Sequence, residues 1–158
     1  MSEYKQLNSD LSLHWVFAGM MLCMLIAYNI ICHFFGAEMQ INMAEEQRIF
    51  IRTVLYVITI ILFPLLNLLR HILLRLNQTM PGESPAKNRY LMTTIVTISL
   101  IEVIGFFGFV MFILGDEFNT LYIFSVLGAL GLFIHRPRQE EYKQIIEALN
   151  NESDCTGY

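Results

Sequence analysis

The chain has 158 residues, 55% of them hydrophobic and only 15% charged, with a formal net charge of −4. Soluble domains carry about 25% charged residues, and here the charges are clustered between long apolar blocks, which excludes a soluble fold and reads as a multi-pass membrane protein. Much of the negative charge lies after Arg138 and no basic stripe runs along any segment, so nucleic acid is excluded as a partner.

The first apolar block, Leu11–Gly36, is too long and too far from the N-terminus for a signal peptide, and no small-residue cleavage site follows near His33. It is expected to stay as a transmembrane helix. Met20, Met21, Cys23 and Met24 read as flexible packing residues within it. Cys23, Cys32 and Cys155 have neither metal-ligand spacing nor an even disulfide set, so they fit a reducing compartment.

The second block is Ile49–Leu69. It is expected to start early as an interfacial helix, with Asn42 as its cap and Glu45 closing a capping box. Arg48 and Arg52 at this end are expected to snorkel or to pair with Glu45 and Glu46. Pro64 removes one backbone hydrogen bond and predicts a kink. The polar stretch from Asn77 to Asn88, with Pro81, Gly82 and Pro85, is a loop by its turn chemistry.

Tyr90–Leu114 and Phe118–Ile134 complete four spans, the last about 17 residues long and only just able to cross a ~30 Å hydrocarbon core. Lipid offers no hydrogen bonds to a backbone, so each span is helical. The fold class predicted is all-α: an integral membrane four-helix bundle over residues 1–136, with a tail at 137–158. Arg70, Arg75, Lys87 and Arg89 flank the middle loop and Arg136 and Arg138 follow the fourth span, whereas Glu38, Glu45, Glu46, Asp116 and Glu117 lie at the opposite end. By the positive-inside rule both termini and the middle loop are cytoplasmic, in the bacterial inner membrane. The glycosylation patterns at Asn77 and Asn151 fall on that side and are discounted.

After Pro137, Tyr142, Ile145, Ile146 and Leu149 recur at helical spacing against Glu140, Glu141, Lys143 and Glu147. This predicts a short amphipathic helix. Its acidic face disfavours anionic lipid, so it is expected to dock a protein partner. Gly105, Gly108, Gly128 and Gly131 are expected to pack the hairpin of spans three and four, or to mediate self-association. Counting back from Glu117 and Phe118 pairs Gly108 with Leu127 and Gly128, and Gly105 with Leu130 and Gly131.

Glu102 is the acid stranded in the third span. A charged acid at a helix centre costs about 2.5–3.5 kcal/mol on insertion scales, so such groups usually have a partner or a use. Counted from Arg89 it lies near the midplane, with Tyr56, Thr59 and Ser99 as relay neighbours for a translocated ion. Counted through the hairpin it lies opposite Phe133, near His135 and Arg136, as a structural ion pair. The second count is the expected one, because the connection is so short.

Glu102-VIGFFGFVMFIL resembles the second helix of proteolipid, c-type subunits of rotary ATPases, in which a membrane carboxylate is followed six residues later by glycine after an aromatic residue. The matching residues are Glu102, Phe107 and Gly108. The resemblance implies an ion-carrying role for Glu102 and covers residues 102–114 only.

No catalytic constellation is present. Asp116 and Glu117 are adjacent, point apart, and are expected to keep the outer turn solvated. His14, His71 and His135 share one level and His33 the other, but no helix carries two on one face, so no metal or cofactor is expected. The chain is therefore expected to be a non-enzymatic accessory or scaffolding component of a membrane assembly. The alternative is a proton- or cation-translocating element built on Glu102.

Overall fold

The computed structural model describes residues 2–41, 43–79 and 86–155, with side chains for 12–36, 38–41, 43–79 and 87–148. Its elements are five α-helices: α1 Ser2–Met39, α2 Glu45–Thr79, α3 Ala86–Ile113, α4 Phe118–Ile134 and α5 Gln139–Cys155. There is no strand among the described residues. Ser12–Gly36, Glu45–Thr79 and Lys87–Ile113 are each long and apolar enough to cross a membrane. The 17 residues of α4 rise about 26 Å, slightly less than a ~30 Å core. A 45° bend separates α4 from α5.

The helices outrun the apolar blocks. α1 begins at Ser2, and α2 continues beyond Leu69 to Thr79. Hydropathy marks where lipid begins, but the backbone ladder continues into polar sequence while no residue interrupts it. α2 also runs unbroken through Pro64, since a membrane helix tolerates one missing hydrogen bond. Glu45 is the first residue of α2 and not the third. Asn42 and the turn residues Pro81, Gly82 and Pro85 lie outside the described residues.

α3 is the centre of the molecule, with α4 packed along it and α1 and α2 on either flank. Half of its most apolar window is buried, against 11% for α1 and for α2. Ile98, Ile101, Ile104 and Met111 of α3 meet Leu66 of α2 and Phe124 and Leu132 of α4 in the main core. Lipid is as apolar as these side chains, so close packing and hydrogen bonds hold the helices together.

α1 and α2 make almost no contact with each other, and their connection passes over the α3–α4 turn. The Ile41 N–H donates to the Ile113 carbonyl at 2.7 Å, and Gln40 Nε2 donates to the Asp116 carbonyl at 3.3 Å. Beneath this strap α3 closes with a Schellman motif: Asp116 N–H to Met111 O and Gly115 N–H to Phe112 O. Gly115 has φ +89°, and a Cβ there would stand 2.8 Å from the Ile41 carbonyl oxygen. Conformation and space both demand glycine.

Arg48 and Arg52 do not pair with their helix neighbours. Arg52 Nη1 lies 3.1 Å and Arg48 Nε 3.8 Å from Asp116 Oδ1. Asp116 is therefore buried, contrary to the expectation of a solvated turn. The Schellman closure turns its side chain inward, where two guanidinium groups replace water.

Candidate functional site

The Schellman closure also sets the hairpin register. It draws Gly115 and Asp116 into the end of α3, so the turn centres nearer Asp116 than Phe118 and the glycine pairs move. A Cβ at Gly128 would lie 3.3 Å from the Gly105 nitrogen, and one at Gly108 would lie 2.8 Å from Phe124 Cβ. Gly131 faces Ile101 at 2.8 Å. Gly105 thus opposes Gly128, and the expected pairs Gly108 with Gly128 and Gly105 with Gly131 do not form. All four glycines serve contacts inside the chain.

Glu102 follows Ile101 and so stands level with Leu130 and Gly131, about a turn short of His135. It is 8% exposed, and neither carboxylate oxygen has a hydrogen-bonding partner among the described residues. Its neighbours along the same stripe of α3 turn towards α1: Gly105 meets Leu25, and Phe106 and Phe109 meet Tyr28. An unsatisfied buried polar group costs about 1–3 kcal/mol, and a charged one more. The fold keeps this acid at the expense of stability.

The expected ion pair is absent from the described residues. Arg136 is exposed, its guanidinium 5.0 Å over the Phe133 ring, and His135 Nδ1 lies 3.1 Å from the Gly131 carbonyl oxygen. Nor do the expected relay residues reach Glu102. The Thr59 hydroxyl donates to Leu55 O at 2.9 Å, the Tyr56 ring stacks on Phe124 at 4.8 Å, and half-buried Ser99 makes no hydrogen bond with the carboxylate.

Two polar bridges join α1 to α4 above Glu102. Asn29 Nδ2 donates to Ser125 Oγ at 2.9 Å, and His33 Nε2 lies 2.7 Å from the Tyr122 hydroxyl. Asn29, His33 and Ser125 themselves line a groove of about 630 Å³, together with apolar residues including Leu22, Leu25, Ile26, Val126 and Ala129. In the sequence these four polar residues are scattered singly. Their spacing of four on α1 and three on α4 is the signal that could have paired them.

At the opposite end of the molecule the hub is Arg70. It continues the buried stripe of α2 formed by Thr59 and Leu66. Its guanidinium donates to the carbonyls of His135 and Arg136 and to Glu141 Oε2, the last at 2.7 Å. One side chain thus caps the C-terminus of α4 and holds the first turn of α5. The Tyr90 hydroxyl accepts from the Arg138 N–H at 2.8 Å and lies 3.1 Å from Glu141 Oε2.

Tyr142 and Ile145 are buried against Tyr90, and the His14 ring lies 5.0 Å from that of Tyr90. Tyr142 and Ile145 of the apolar face of α5, expected to dock a partner, are therefore covered by the chain itself. The side chain of Leu149 lies outside the described residues. Reading the tail as a separate segment missed this, because amphipathicity shows that a face is buried and not by what. His14 and His135 are buried and His71 is exposed. Among the described residues no three His, Cys, Asp or Glu side chains are grouped to hold a metal.

No protein-family model, no characterised protein and no solved structure matches this chain. The local resemblance to c-type subunits rests on Glu102, Phe107 and Gly108 themselves.

Proposed function

We propose that the chain is a four-span protein of the bacterial inner membrane, with both termini cytoplasmic, whose non-enzymatic work is proton handling at Glu102. The topology is supported by three self-sufficient spans, by α4 as a short fourth, and by the cationic end formed by Arg70, Arg75, Lys87, Arg89, Arg136 and Arg138. The observation that carries the function is the Glu102 carboxylate, buried near the middle of Lys87–Ile113 without a described partner. An intramembrane acid with no structural pair is a functional group by default, and proton or cation exchange is its chemistry.

The test uses the purified protein in lipid vesicles. A hydrophobic carbodiimide should label Glu102, high pH or sodium should protect it, and E102Q should abolish both labelling and proton flux. Flux unchanged in E102Q, with the protein still folded, removes the reading.

A second reading, an accessory component of a membrane assembly, is favoured by a polar groove of about 530 Å³ between α2 and α5. His71, Arg75, Gln78, Gln144 and Glu147 line it. In this reading the groove serves as the association surface. Cross-linking from a cysteine at Gln78 to a defined second polypeptide supports this reading, and a monomer alone in mild detergent opposes it.

A further inference from the structure

His135 is 4% exposed where α4 gives way to α5. Its Nε2 has no hydrogen-bonding partner among the described residues, while its own backbone carbonyl accepts from Arg70. The same guanidinium holds Glu141 of α5. The His135 backbone, the connection and the tail helix are therefore tied to one cation.

The groups around the ring come from every neighbouring element. Arg70 of α2, Glu141 of α5 and Arg138 of the connection act on it electrostatically. Tyr90 of α3 contacts the same Glu141 and Arg138, His14 of α1 lies against Tyr90, and exposed Arg136 turns over Phe133. The site suits a neutral imidazole. Burial is the largest cause holding the His135 pKa below its ordinary 6.5; Arg70 and Arg138 add to it, and the Gly131 carbonyl and Glu141 oppose it.

We propose that His135 is the proton-sensing element of a latch: a proton on its ring sets a second cation beside Arg70, and α5 lifts from α2 and α3. Release uncovers Tyr90 and the Tyr142–Ile145 face, so the amphipathic helix becomes available for docking only in acid. The inference depends on neither functional reading above.

The sign follows from linkage. The released ring is in water and binds a proton more readily than the docked ring. Docking is complete above a pH of about 6.5 and weakens as pH falls below it, by at most about tenfold per pH unit for one proton.

Hydrogen exchange of residues 139–148 in the full-length protein in lipid nanodiscs, from pH ~8 to ~5 and corrected for intrinsic rates, tests the latch. The wild type should lose protection with a midpoint below 6.5. H135Q should stay protected throughout, and H135K should be unprotected at every pH. Release of H135Q at the wild-type midpoint, or unchanged wild-type protection at pH ~5, overturns the proposal. Should H135Q fail to fold, the NMR titration of the His135 ring in the wild type decides: its midpoint must coincide with the release of α5.

Discussion

Arg52 Nη1 lies 3.1 Å from Asp116 Oδ1, and the Asp116 side chain is 1% exposed. The pair joins the start of α2 to the α3–α4 turn across 64 positions of sequence. Arg48 stands behind it, donating to the Gly115 carbonyl at 3.0 Å.

Asp116→Asn should therefore destabilise the protein by about 1–3 kcal/mol, because two part-exposed guanidinium groups lose the buried counter-charge they share. Arg48→Ala alone should cost less than Arg52→Ala, since its contact with Asp116 is the longer. Equilibrium unfolding of the three variants in mixed micelles gives the order.

The helix glycines separate by what a methyl group would meet. Gly108→Ala should cost about 1–3 kcal/mol, because the added carbon stands 3.0 Å from the Leu121 carbonyl oxygen as well as against Phe124. Gly19→Ala meets nothing within 4 Å and should instead gain roughly 0.5–1 kcal/mol of helix propensity. Opposite signs in thermal unfolding would support the packing described; equal effects would contradict it.

Glu102→Leu should make the protein more stable, by about 1–3 kcal/mol, because it removes a buried polar group that has no described partner. A structural acid would give the reverse sign. Chemical unfolding of E102L and E102Q beside the flux measurement separates an acid kept for work from one kept for architecture.

Arg70→Met should cost about 3–5 kcal/mol, since it strands Glu141 and the carbonyls of His135 and Arg136 just past α4 together. Glu141→Gln, which keeps an acceptor for Arg70 and Tyr90, should cost less. Protease sensitivity of α5 is the local readout.

Hydropathy and charge asymmetry made the spans legible, because both follow from the cost of polar groups in lipid. Register was not. The hairpin count assumed a symmetric turn, whereas Gly115 at φ +89° closes α3 by a motif that moves the centre of the turn. That shift separates Glu102 from His135 and Arg136 and removes the ion pair that the sequence favoured. Arg70 was read as a topological charge because nothing local in Leu69-Arg70-His71 says that its guanidinium finds the end of another helix 65 residues away. The tail shows the same limit: spacing assigned Tyr142 and Ile145 to an apolar face, and only the fold shows Tyr90 covering it.

The strap formed by Gln40 and Ile41 over the turn carries a consequence for biogenesis. Because the first two helices scarcely touch, the chain emerging from the ribosome has to stand as an open fork in the bilayer until the α3–α4 hairpin slides between its tines. A nick between Thr79 and Ala86 should leave two fragments that are each unstable when made alone and that reassemble when made together.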